Sequence, residues 1–219
     1  MITTVDGKTL DRRWPIDGHE TFESSAALIK ADGWIVGRKT MQGYASKNPQ
    51  GKHTLPLSQK LMKTDFVAEH DQKTYAIVID PSGKLQWDVG HVDTEHVIEV
   101  LTEKVSLTYL RQLRASQVSY IFAGKSKINL SIALKKLNKL FGIKRLMVQG
   151  GGTTNGFFLN AGLLDELSLI IAPVADGEVG TQSVFDILPK IKKQAAVPLK
   201  LKSARRYKKS YMWLKFHVG

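Results

Sequence analysis

Apolar runs of strand length punctuate the chain. "MITTV", "GWIVG", "TYAIVI", "HVIEVL", "VSYIFAG", "KRLMVQG" and "LSLIIAPV" follow one another, most of them rich in β-branched residues. Unbroken apolar runs of this kind read as strands covered on both faces, as in a parallel sheet. Helical spacing fills several of the gaps. The clearest case is residues 129–141, "NLSIALKKLNKLF", where Leu130, Leu134, Leu137 and Phe141 share one face and lysines take the other. Asn129 is the expected N-cap and Gly142 the expected terminator. "SLTYLRQLRA" and "HETFESSAALIKA" predict two further helices. Strand alternating with helix predicts a mostly parallel α/β fold.

The last two runs differ. "PLKLKSARRY" and "KKSYMWLKFHV" alternate in polarity and meet at a short basic link. They predict an antiparallel ribbon at the C-terminal end, which makes the sheet mixed. Residues 44–74 are polar and broken by Pro49, Gly51 and Pro56. They predict a long excursion, holding one helix at most. With no internal repeat and no low-complexity linker, the 219 residues are expected to form a single domain, 1–219.

Charge changes this picture less than its size suggests. The formal balance is +12, yet residues 190–219 carry ten Lys or Arg and no acid, which leaves only +2 for the remainder. A terminal basic segment can bind nucleic acid. No series of aromatic residues accompanies this one, so the expected reading is a solvated strand edge whose lysines discourage edge-to-edge pairing. The chain has no cysteine, which excludes disulfides, thiolate metal sites and cysteine nucleophiles. His19, His53, His70, His91, His96 and His217 show no H-x-x-x-H or H-E-x-x-H spacing, and no metal is expected. No G-x-S-x-G elbow is present either. No run approaches the roughly 18 apolar residues of a membrane span, and the opening residues lack a secretion signal, so the cytoplasm is the expected location.

Two stretches offer candidate chemistry. In "LMVQGGGTTNGFFLNAGLLDEL" an apolar strand runs into Gly150, Gly151 and Gly152, then into helical residues. It is neither a Walker A loop, which needs a lysine, nor a Rossmann G-x-G-x-x-G, whose sixth place is here Asn155. The mechanics of an anion site remain: glycines admit a ligand close to the backbone, and a helix start offers free N–H groups. A plain strand-to-helix turn would read the same way. In "IVGRKTMQGY" another strand ends at Gly37, followed by Arg38, Lys39 and Thr40. Cations at a helix start oppose the macrodipole, which favours a functional reading. Two such sites suit a ligand with two separated phosphates.

At this point the sequence resembles a family. "VGRKT" with "GGGTTNGFFL" looks like the paired cofactor motifs of the dihydrofolate reductase-like fold. "RLMVQGGGTTNGFFLNAGLLDELSLIIAPVADG" is similar to the reductase domain of the riboflavin-biosynthesis pyrimidine deaminase/reductase family, as are the opening "TTVDGK" and the second strand "ADGWIVGRKTM". The resemblance implies a three-layer α/β/α fold and NADPH as cofactor. It implies that Gly150, Gly151, Gly152, Thr153 and Thr154 line the pyrophosphate, with a cis peptide at Gly150–Gly151. Gly37, Arg38, Lys39 and Thr40 are expected at the adenosine 2′-phosphate, and Gly124 is counted with the cofactor residues. Thr4, Asp6 and Gln149 are expected at the substrate, with Asp6 orienting or protonating it and Arg12 and Arg13 serving substrate phosphate. The expected reaction is reduction of a pyrimidine such as 5-amino-6-(5-phosphoribosylamino)uracil, in a homodimer. A same-fold reductase of a pterin or another carbonyl or imine is the alternative, and a basic nucleic-acid-binding protein the non-enzyme alternative. Gln149 stands where the family usually has Glu, and Thr4 where it has Ser. The family's fused zinc deaminase needs cysteines that this chain lacks.

Overall fold

The computed structural model describes residues 1–9, 14–46, 64–189, 191 and 195–219. The chain divides into two compact units: Met1–Lys30 with Gln149–Gly219, and the contiguous Ala31–Val148.

The contiguous unit is built on parallel pairing. Its strands are β2 (Gly33–Gly37), β3 (Thr74–Ile79), β4 (His91–Val92), β5 (Glu95–Leu101), β6 (Ser119–Phe122) and β7 (Leu146–Val148). The ladder runs β4-β5-β3-β2-β7, and β6 pairs with the later part of β5, from Ile98 to Leu101, beyond the short β4. Only the short β4 pairs antiparallel. β5 and β6 are buried almost throughout, as their unbroken apolar runs require. Their core includes Val78, Leu101, Leu110 and Tyr120, all almost fully removed from solvent.

The two longer described helices here start where the sequence offers caps. In α2 (Arg38–Met41), one short turn, Gly37 precedes the first residue and gives no side-chain cap. Ser106 caps α3 (Leu107–Ala115) by accepting from the Tyr109 N–H at 3.1 Å. Asn129 caps α4 (Leu130–Phe141), accepting from Ile132 at 3.1 Å, and Gly142 closes it at φ +69°. That left-handed turn is the conformation glycine adopts without a Cβ penalty.

The other unit gathers both ends of the chain. It holds β1 (Ile2–Thr3), α1 (Gly18–Ala27), α5 (Gly152–Asn160), β8 (Glu166–Ile171), β9 (Leu199–Tyr207) and β10 (Tyr211–Val218). Its four strands run β1-β8-β10-β9, with β1 parallel to β8 and the rest antiparallel. The core is Ile2, Trp14, Ile170, Ala172 and Trp213. β9 is exposed along nearly its whole length and carries Lys200, Lys202, Arg205 and Arg206. Glu166 opens β8 and pairs with Lys202.

The parallel-rich α/β fold and the C-terminal ribbon agree with the sequence reading. The strand pairing is divided, however: the expected mixed sheet is two ladders, because the strands near the two chain ends pair with each other. α1 stops at Ala27, short of the expected 31, where Leu28 turns out to solvent. β7 ends at Val148, so Gln149 follows the strand rather than closing it. Most of the expected excursion, residues 47–63, lies outside the described residues, as do Arg12 and Arg13.

Candidate functional site

The glycine turn is a tightly built entry to α5. Gly151 is its N-cap residue, at φ −62° and ψ 173°, with no side-chain cap. The helix start therefore keeps N–H groups that an anion can satisfy. The Gly150–Gly151 peptide is trans, not the cis form that the resemblance implied.

The three glycines are not equivalent. A Cβ on Gly152 would lie 2.3 Å from the Ser183 carbonyl oxygen and 2.5 Å from Asp186 Oδ2. One on Gly156 would lie 2.2 Å from the Asp186 carbonyl oxygen, and one on Gly150 2.4 Å from Thr154 Cβ. Residues 183–186 thus rest directly on the helix. They are tied there by the Asp186 N–H to the Gly152 carbonyl (2.9 Å) and by Asn155 Nδ2 to the Val184 carbonyl (2.9 Å). Asp186 in turn accepts from the Ser183 hydroxyl at 2.8 Å. Among the described residues, a Cβ on Gly151 meets only the end of the Gln182 side chain, at 3.0 Å. Gly152 and Gly156 are demanded by packing, whereas Gly151 leaves room on the backbone for a ligand. Thr153 and Thr154 are half-buried on the first turn.

Thr4 and Asp6 form a second small construction in the same unit. Buried Thr4 accepts from the Lys8 N–H at 2.9 Å, closing the 4–8 turn. Asp6 accepts from the Asp176 N–H at 3.1 Å and the Gly177 N–H at 2.9 Å. The Thr4 hydroxyl, then these backbone N–H groups, hold the Asp6 carboxyl well below the usual carboxylate range. Such a group has no proton to donate near neutrality, so its chemistry is that of an acceptor that orients.

In the contiguous unit, Gly37 and Ile79 are register partners at the ends of the parallel strands β2 and β3. Arg38 and Asp80 are the next residues on each. Arg38 Nε stands 3.9 Å from Asp80 Oδ1; Arg38 is 32% exposed and Asp80 wholly buried. Lys39 and Thr40 are exposed. Gly124 follows β6 at φ +141°, and a Cβ there would come within 2.1 Å of the Lys127 carbonyl oxygen, so local backbone geometry accounts for this glycine.

Two polar clusters were not singled out from the sequence. Glu99 is fully buried, receiving the Trp87 indole N–H at 2.6 Å and the Tyr109 hydroxyl at 2.7 and 2.8 Å. Burial, reinforced by the Asp80 charge, pushes its carboxyl up to about 8 against the pull of those donors. His96 is buried beneath His70, ring centroids 3.9 Å apart, with Nε2 2.7 Å from the Ser119 hydroxyl. Burial first, then the neighbouring His70 and His91, lower it to about 4. An acid inside the apolar run "HVIEVL" was the available signal for Glu99; nothing local marks the histidine stack.

A family model described as the RibD C-terminal domain matches residues 1–213. The chain belongs to the RibD C-terminal domain family. Among relatives of this domain, the 2,5-diamino-6-ribosylamino-4(3H)-pyrimidinone 5′-phosphate reductase of Methanothermobacter thermautotrophicus is 36% identical over 66 residues; that match spans 30% of this chain and 30% of the relative. A pyrimidine reductase-like protein from Corynebacterium diphtheriae superposes with a TM-score of 0.69 at 18% identity, covering 100% of this chain and 89% of that one. RibD of Acinetobacter baumannii gives 0.67 at 17% identity, covering 100% of this chain and 56% of that one. The riboflavin biosynthesis reductase of Saccharomyces cerevisia gives 0.62 at 16% identity over 100% of this chain and 87% of that one. These likenesses show the dihydrofolate reductase-like fold for this RibD C-terminal domain. Among the described residues, no helix is long and apolar enough to cross a membrane.

Proposed function

We propose that this chain is an NADPH-dependent reductase of a riboflavin-pathway pyrimidine bearing a ribosylamino 5′-phosphate, such as 5-amino-6-(5-phosphoribosylamino)uracil, which it converts to the ribitylamino form. The observation that carries this reading is the RibD C-terminal domain match over residues 1–213. The residues present fit the cofactor. The uncapped start of α5 and the open side of Gly151 suit a pyrophosphate, with Thr153 and Thr154 on the same turn. Arg38 is about one-third exposed and its guanidinium, with Lys39 and Thr40 beside it, suits the 2′-phosphate that separates NADPH from NADH. Bound NADPH supplies the hydride. The chain's own share is to bind and orient the substrate, for which Thr4, Asp6 and Gln149 are proposed, and to exclude water. We place the enzyme in the cytoplasm as a homodimer.

The experiment is a substrate screen that follows loss of absorbance at 340 nm. Turnover of the phosphoribosylamino pyrimidine with NADPH is expected. Turnover of pterins alone would favour the alternative that Gln149 in place of the family's Glu motivates. No NADPH oxidation with either class would overturn the proposal. Titration of NADPH and NADH against Arg38→Ala completes it: a loss of at least several-fold for NADPH only is expected, from one charge-assisted contact of about 1.5–3 kcal/mol reduced by exposure.

A further inference from the structure

We infer that Asp80 is the positioning residue for Arg38, and so sets the preference for the phosphorylated nucleotide. The inference rests on the reading of Arg38 as the 2′-phosphate residue. It begins from the register. Gly37 and Ile79 are paired at the ends of the parallel strands β2 and β3, so Arg38 and Asp80 leave adjacent strands side by side. The carboxyl ends of parallel strands are where α/β folds take their ligands.

Asp80 is unusually placed for a carboxylate. It is wholly buried. Oδ2 accepts from the Lys84 N–H at 2.5 Å and the Leu85 N–H at 3.0 Å, which fixes the side chain across the 80–85 turn. Oδ1 is buried and has no hydrogen-bond partner among the described residues. A buried, half-satisfied carboxylate costs stability unless something answers its second oxygen. Among the described residues, the cation that approaches that oxygen is Arg38, whose Nε stands at 3.9 Å, close enough for attraction and too far for a hydrogen bond.

The geometry assigns the two sides of the guanidinium different tasks. Nε faces the fixed carboxylate. Among the described residues the remaining fork makes no hydrogen bond, which leaves it for the bidentate contact that a phosphate takes. Without Asp80, Arg38 would be a long, multiply rotatable cation at a surface, and its ordering would fall on the binding step. One effect opposes this: the negative charge of Asp80 weakens the attraction that Arg38 exerts on an anion. The two effects predict opposite signs on removal of the charge. Loss of positioning weakens NADPH binding; loss of neutralisation strengthens it.

The test titrates NADPH and NADH against the intact chain and its Asp80→Asn, Arg38→Ala and doubly substituted forms, with a thermal melt of each. Asparagine keeps an oxygen for the Lys84 and Leu85 N–H groups and turns an amide toward Arg38. Asp80→Asn is expected to weaken NADPH about fivefold and leave NADH unchanged, and the double form to lose no more than Arg38→Ala alone. Tighter or unaltered NADPH binding by Asp80→Asn, beside a selective loss in Arg38→Ala, overturns the positioning role and leaves the reading of Arg38 standing. Equal losses of both nucleotides in Arg38→Ala overturn that reading itself. Should Asp80→Asn not fold, Asp80→Ser decides: it keeps an oxygen acceptor for the turn and removes the carboxylate facing Arg38, so a fall in NADPH affinity with NADH unchanged supports the inference and full retention overturns it.

Discussion

Gly151 and Gly152 are neighbours in sequence, and the structure predicts opposite consequences for placing a side chain on each. At Gly152 the new Cβ meets the Ser183 carbonyl oxygen at 2.3 Å and Asp186 at 2.5 Å. Backbone must move, and overpacking of this kind costs about 1–3 kcal/mol. At Gly151 the backbone is extended, φ −62° and ψ 173°, and suits a β-branched residue. Among the described residues, the only atom closer than 4 Å is Gln182 Oε1, the end of a flexible side chain. Losing glycine from the N-cap position costs roughly 1 kcal/mol or less. Gly151→Val should therefore fold, melting only about 2–4 °C lower per kcal/mol lost. Its isopropyl group should stand where a pyrophosphate approaches the backbone and weaken NADPH by about tenfold or more, roughly 1.4 kcal/mol. Gly152→Ala should lose more stability than Gly151→Val, with or without nucleotide. Thermal melts and a fluorescence titration of bound NADPH measure both. A folded Gly151→Val protein with wild-type NADPH affinity would refute the cofactor assignment. A Gly152→Ala protein as stable as the parent would refute the packing argument.

Asp6→Asn should reduce turnover far more than NADPH affinity, because one of the acceptors holding the Asp176 and Gly177 N–H groups becomes a donor where we propose that the substrate binds; normal turnover by the folded fraction would reduce Asp6 to a turn residue. Acid stability should reveal two buried groups working against each other. His96 has a folded value lowered to about 4, so its contribution is present above the unfolded value near 6.5 and is lost as pH falls toward 4. Glu99 has a folded value raised to about 8, so its contribution is present below the unfolded value near 4.5 and is lost as pH rises through 8. From pH 7 to 5 each amounts to about 2 kcal/mol with opposite sign. Wild-type stability should change little over that interval, while Glu99→Gln, which mimics the neutral acid, should lose about 2 kcal/mol; equal urea midpoints for Glu99→Gln at the two pH values would contradict the His96 assignment.

What the sequence made legible was local. α4 was readable to the residue because its cap, its apolar stripe and its terminating glycine all lie within one window. β3 was readable because an unbroken apolar run has one economical use in a parallel sheet. The division into two ladders was not, since it depends on Ile2 finding Ile170 across the chain. The same distance hid the reason for Gly152 and Gly156, which lies in residues 183–186. A glycine required by a neighbouring backbone and one left open for a ligand are the same letter. The Arg38–Asp80 pair was hidden likewise: each residue stood in view at a strand end, but only the register of β2 against β3 brings them together.

The order β1-β8-β10-β9 also dictates when the end-built unit can close. On a ribosome, residues 31–148 emerge with every strand of their own ladder before β8 exists. β1, made first, must wait for β8, and β9 leaves the ribosome before β10, the strand it pairs with. A nascent strand with open hydrogen-bonding edges is a hazard during such a wait. Lys200, Lys202, Arg205 and Arg206 make β9 a poor template for other chains through that interval.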